Sequence, residues 1–113
     1  MSPSAKARAA WIASASIFAA LGDETRLRLV SRLCDRGPMS ITELSTGFPI
    51  TRQAITKHLR VMESAGLVCS TQQGREIVWE LEKKRLADAR RHLETISAQW
   101  DDTLGRLKTF VER

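Results

Sequence analysis

The sequence predicts a mainly helical chain carrying one small β-hairpin (α+β). Three observations lead there. Apolar residues recur at steps of three or four along most of the chain, which is the helical period. That period breaks once, after Gly66, where two β-prone runs flank a short polar connector containing Gly74. Finally, 113 residues suffice for a single core without disulfide or metal staples. One domain is therefore expected over 9–113, preceded by a flexible tail at 1–8.

In chain order, the helical pattern begins at about Ala7 and runs to Leu21, where Gly22 ends it. Lys6 and Arg8 ahead of an apolar run from Ala9 to Leu21 imitate a secretory leader. However, Trp11, Ile17, Phe18 and Leu21 fall at helical spacing, and removing them would strip a small domain of a core helix. Asp23 caps a second helix, with Glu24 in its first turn. Leu27, Val30 and Leu33, with Leu29 beside them, form its expected buried stripe, and Arg26, Arg28 and Arg32 face elsewhere. Gly37-Pro38 stops it. Met39-Ser40-Ile41 reads as a minimal strand. A brief third helix then starts at Thr42-Glu43-Leu44-Ser45 and closes at Gly47-Phe48-Pro49. Thr51 caps a fourth helix that reaches about Ala65. Two short helices joined by a tight Gly/Pro turn make a helix-turn-helix candidate.

Leu67 to Thr71 and Glu76 to Leu81 read as strands joined by Gln72-Gln73-Gly74-Arg75, a hairpin signal. The helical period then returns from about Lys83 to Val111, about eight turns at 3.6 residues each. Leu86, Ala89, Leu93, Ile96, Trp100, Leu104, Leu107 and Val111 follow one another at steps of three or four along a nearly heptad seam, more apolar face than a small domain covers by itself. A homodimer is expected on that seam, with Trp11 of the first helix joining it.

Charge is unevenly divided. Residues 1–60 hold nine Lys/Arg against four Asp/Glu, whereas residues 61–113 hold nine of each, so the net +5 sits in the first half. A basic half favours a polyanionic partner. On a helical wheel of roughly 100° per residue, Arg52, Gln53, Thr56, Lys57 and Arg60 fall within about 140° of one another. Ile55, His58, Leu59 and Met62 occupy a separate arc from about 240° to 340°. The first set suits phosphates and base edges: Arg and Lys pair with guanine, Gln with adenine, and Thr with either backbone or base. Thr51 and the free amides at the helix start add a phosphate-anchoring end. A plain solvated face would also look polar. What separates the two readings is the hairpin that follows, with Gln73 and Arg75 at its tip. A helix-turn-helix followed by such a hairpin is a winged helix, whose wing reaches DNA beside the recognition helix.

These residues resemble the ArsR/SmtB family of winged-helix transcriptional regulators. Ala19-Ala20-Leu21-Gly22-Asp23-Glu24-Thr25-Arg26-Leu27-Arg28 is similar to the family's opening motif. Ile41-Thr42-Glu43-Leu44, Thr51 through Leu59, Gly66-Leu67-Val68 and Gly74-Arg75 follow at the family's intervals. The resemblance covers about residues 9–105. It implies a homodimer formed by the first and last helices, reading a palindromic operator on double-stranded DNA and repressing by occlusion until an effector acts.

The chain also departs from the family pattern. Glu43-Leu44-Ser45-Thr46 holds no Cys-x-Cys pair, and the last helix offers Asp88, His92 and Glu94 with one histidine. Asp88 and His92 share a face, but a zinc site needs four well-placed ligands. No metal and no cofactor is expected, and the residues identify no effector. Cys34 and Cys69 match no metal or disulfide spacing; they read as reduced cytosolic thiols, most simply small buried hydrophobes, and place the chain in the cytoplasm. No run is apolar enough to span a membrane. No nucleophile, base and orienting group occur together, so no enzyme is expected. The competing reading is a winged helix that docks a protein instead of DNA. Such a face usually exposes aromatic or aliphatic anchors, not Thr, Gln, Lys and Arg.

Overall fold

The computed structural model describes residues 4–112. Its elements are α1 (Ala5–Leu21), α2 (Glu24–Arg36), β1 (Met39–Ser40), α3 (Ile41–Ser45), α4 (Arg52–Ser64), β2 (Val68–Gln73), β3 (Glu76–Leu81) and α5 (Lys83–Val111). The three strands form one antiparallel sheet in the order β1-β3-β2. Helix α1 starts two residues earlier than its apolar pattern suggests, because the Ser4 side chain accepts from the Ala7 N–H and caps it. Residues 5–8, half of the tail expected at 1–8, are therefore helical. Residues 1–3 of that tail lie outside the described residues.

The core gathers Ile17 and Ala20 of α1, Leu29, Val30 and Leu33 of α2, and Met39 of β1. Leu44 of α3, Ile55, Leu59 and Met62 of α4, and Val68 and Trp79 of the sheet complete it, with Leu67 just before β2 and Ala89 of α5. The buried stripe of α2 departs from expectation. Leu27 is 54% exposed, while Leu29, Val30 and Leu33 are buried. At roughly 100° per residue, those three span about 100°, and Leu27 lies about 160° from Leu29. The same rotation turns Arg26 inward, where its Nε donates to the Ala20 carbonyl 2.6 Å away, closing the end of α1.

Strand β1 stops at Ser40 because Ser40 caps α3. Its hydroxyl accepts from the Glu43 N–H, and the Glu43 carboxylate accepts from the Ser40 N–H, a reciprocal capping box. The helix consequently begins at Ile41, one residue before the expected start. In the hairpin, pairing continues from Val68↔Leu81 to Gln73↔Glu76, so the loop shrinks from four residues to Gly74-Arg75. Gly74 has φ 64° and, among the described residues, no non-glycine residue has positive φ, the sign pattern of a type II′ turn, which asks for Gly at the first central position. That turn lets Gln72 and Gln73 stay in the ladder.

Helix α5 has 29 residues, about 43 Å at 1.5 Å per residue, and the side chains beyond His92 are nearly all exposed. Leu86 packs against the core and Ala89 is buried within it. Among the described residues no helix is long and apolar enough to cross a membrane.

The cysteines do not behave as a buried pair. Cys34 is exposed on α2, against expectation, because it follows Leu33 on the outward side of that helix. Cys69 on β2 is half-buried opposite Glu80. A hydrogen bond with Glu82, burial, and the charges of Glu82, Glu80 and Glu63 push its thiol up to about 11. At neutral pH Cys69 is held as the unreactive thiol. Iodoacetamide near neutral pH should therefore label Cys34 and leave Cys69 unmodified, and Cys34→Ser should abolish labelling; equal labelling of both by mass spectrometry would overturn this assignment. Leu44→Ala should destabilise the chain by about 2–5 kcal/mol in denaturant unfolding, since Leu44 is the buried anchor of the five-residue α3.

Candidate nucleic-acid interface

Helix α4 is positioned by its own apolar arc. Ile55, Leu59 and Met62 are fully buried, which leaves Arg52, Gln53, Lys57 and Arg60 outward and exposed. Thr51 is the N-cap: its Oγ1 accepts from the Ala54 N–H at 3.1 Å, and its own exposure remains. Thr56 is half-buried, and its hydroxyl donates to the Arg52 carbonyl at 2.9 Å. That hydroxyl keeps its lone pairs but its proton is engaged within the helix.

Arg52 and Arg75 are brought together. With Ser40, Ile41, Thr42, Glu76 and Ile77 they line one open depression of about 270 Å³, between the start of α4 and the hairpin tip. Two guanidinium-bearing residues around one concavity suit an anionic backbone. Arg75 sits in the hairpin loop and is exposed; Gln73 ends β2 opposite Glu76 and is exposed as well. Arg60 stands apart from this group. Its Nη1 is 3.4 Å from Glu63 Oε1, and its guanidinium lies 5.9 Å from the Trp79 ring centroid, so it leans toward the sheet. Glu63 also accepts from the Ser70 hydroxyl at 3.0 Å. Thr42, exposed in the same depression as Arg52, was not among the residues expected from sequence. The Ser40-x-x-Glu43 spacing was the signal that puts the start of α3 there.

Behind α4, His58 is half-buried on the packed side. Its Nδ1 is 3.4 Å from Arg26 Nη1 and 3.9 Å from Asp23 Oδ2. The Arg26 backbone N–H, bonded to Asp23 Oδ2 at 3.0 Å, holds the Asp23 carboxyl below its usual value. This trio ties the α1–α2 junction to the rear of α4.

The seam residues divide. Leu86 is half-buried within the chain, whereas Leu93, Ile96, Trp100, Leu104 and Leu107 are all exposed, Trp100 by 61%. Trp11 is 42% exposed and stacks on His92, with ring centroids 4.1 Å apart. Ile12, Phe110 and Val111 extend the exposed apolar surface. Asp88 and His92 go to different partners: Asp88 pairs with Arg91, and His92 Nδ1 bonds the buried Ser14 hydroxyl at 2.5 Å. Among the described residues no three His, Cys, Asp or Glu side chains cluster as metal ligands would.

Residues 21–70, from the end of α1 through the start of β2, match the family model described as a helix-turn-helix domain. The HTH-type transcriptional regulator Rv2034 of Mycobacterium tuberculosis is 39% identical over 75 residues, covering 66% of this chain and 69% of that protein. The structure of an ArsR-like transcriptional regulator from Rhodococcus sp. RHA1 superposes with a TM-score of 0.73 at 40% identity, over 90% of this chain and 95% of that one. The arsenical resistance operon repressor of Bacillus subtilis is 32% identical over 57 residues, half of this chain and 54% of the repressor. With a winged helix-turn-helix fold, an outward polar face on α4 and these relatives, the chain belongs to the ArsR/SmtB family of DNA-binding transcriptional regulators.

Proposed function

We propose that this regulator acts as a cytoplasmic homodimeric repressor that reads a two-fold symmetric operator on double-stranded DNA. The observation that carries the reading is the outward face of α4, where Arg52, Gln53 and Lys57 stand exposed and Arg75 of the wing shares a depression with Arg52. In this reading Arg52 and Gln53, on the first turn, contact base edges in the major groove. Thr51, Thr56 and Lys57 contact phosphates or sugar, Thr56 as an acceptor for water or through its methyl group. Gln73 and Arg75 follow the backbone beside the groove. Arg60 lies at the edge of the footprint, with Glu63 competing for its charge.

The dimer half of the reading rests on the exposed seam of α5. Leu93, Ile96, Trp100, Leu104 and Leu107 are exposed, and Trp11 and Leu86 flank them. A second copy with the same seam buries both. The whole of 9–113 then works as one unit, carrying two recognition helices to half-sites about one or two DNA turns apart. Repression follows by occupying the operator; the Bacillus subtilis relative is itself named an operon repressor.

Two measurements test these halves separately. Arg52→Ala or Gln53→Ala should relax base preference at one operator position, with a discrimination loss of about 1–3 kcal/mol. Lys57→Ala should instead weaken operator and random DNA alike and lower the salt slope by about one. Equal losses on specific and random DNA for all three variants would sink the base-reading assignment. Trp100→Glu combined with Leu93→Glu should sediment as a monomer and lose operator binding, and a wild-type protein already monomeric at micromolar concentration would refute the dimer.

A further inference from the structure

We infer that Arg32, on the second helix, is the positioning residue that sets the angle of the recognition helix by clamping the turn of the helix-turn-helix. Arg32 belongs to the basic first half, and composition alone would class it with the phosphate-binding cations. The structure gives its guanidinium other work. Nη1 donates to the Leu44 carbonyl at 2.8 Å and to the Thr46 carbonyl at 2.5 Å, and the same group lies 4.5 Å from the Phe48 ring centroid.

The Leu44 carbonyl needs a donor from outside its helix. Helix α3 has five residues, so its last carbonyls have no following turn to bond them. The Phe48 N–H goes to Ser45 at 3.1 Å, which leaves Leu44 O without its helical partner. An arginine at this end also meets the negative pole of the short helix. The turn itself is sharp: Gly47 has φ 83°, and a Cβ there would lie 3.8 Å from Arg32 Nη2. Phe48 then packs partly into the core beneath the guanidinium. Two hydrogen bonds and a stacked ring thus join α2 to the residues that lead directly into α4. Neighbouring Arg28 does not share this role, being paired with Glu24 at 3.0 Å.

Planarity is essential to the clamp. Both bonds come from Nη1 while the guanidinium carbon sits over Phe48; a lysine is one atom shorter and has no planar group to place over the ring, so charge alone does not substitute. The DNA consequence rests on the operator reading proposed above, whereas the turn geometry does not.

The test uses Arg32→Lys and Arg32→Met in the full chain, with Phe48→Leu as a second route to the same loss. Operator affinity relative to random DNA should fall by about tenfold in each, the scale of one lost base contact. The salt slope should keep its wild-type value, because no phosphate contact is removed. A general loss of folded protein would reduce both affinities together and leave their ratio unchanged. An unchanged ratio, or a slope lowered by about one, would overturn the inference, the second by making Arg32 a phosphate ligand. Hydrogen exchange without DNA is an independent arm: the Phe48 amide and the first turn of α4 should exchange faster in Arg32→Lys, while the β2–β3 amides keep their protection. Unchanged exchange at Phe48 overturns the clamp. If the wild type prefers no DNA sequence, the operator reading fails and the exchange arm still decides the role of Arg32.

Discussion

Burial of Ile55, Leu59 and Met62 is the constraint on which the functional surface depends. All three are completely enclosed, and they occupy one side of a helix only 13 residues long. Rotating α4 by one residue, about 100°, would turn all three off the core and bring polar neighbours toward it, at a cost of about 1.5–3 kcal/mol for each apolar side chain exposed. The outward direction of Arg52, Gln53 and Lys57 therefore follows from packing, not from any interaction those residues make themselves. A surface held in this way is ready before its ligand arrives, which lowers the ordering cost of binding.

The sheet performs a related task for the wing. Trp79 is buried in β3, opposite Met39 of β1 and Ser70 of β2, so one side chain anchors the middle of all three strands. The hairpin then projects beyond that anchor for three further pairs to Gln73↔Glu76, carrying Arg75 out to the depression it shares with Arg52. Short elements near the site lean on side chains from elsewhere. The five-residue α3 is held at its start by its own capping box and at its end by Arg32. Arg26 and His58 similarly tie α1, α2 and α4 together behind the recognition face.

At the other end of the molecule, the same principle leaves something unfinished. The large apolar residues of α5 beyond Ala89 stay exposed, and the extents of 65 × 33 × 20 Å record how far that helix runs past the domain. The surface ion pairs along it, such as Arg90–Glu94 and Arg106–Asp102, are exposed and add little stability. A contiguous apolar seam on one face, with ion pairs on the others, is the distribution that a helix takes when it is covered by another helix.

Much of this was determined by local chemistry that the sequence carries in the open. Helical period, Asp23 and Thr51 as caps, and Gly74 in its connector were enough for every helix, the hairpin and the polar face of α4. Each is a property of near neighbours in the chain. What only the tertiary structure decided are the facts that depend on distant partners. The rotation of α2, which exposes Leu27 and turns Arg26 to Ala20, is set by which arc meets the core. Arg60 turns from the common polar arc toward Glu63 and the Trp79 ring, and Cys34 lies exposed while three glutamates hold the Cys69 proton. Spacing places Arg32 only off the buried stripe of α2, because its carbonyl partners lie 12 and 14 residues away. Periodicity assigns a residue to a face of its own element; which groups from other elements meet that face is decided only when the elements pack.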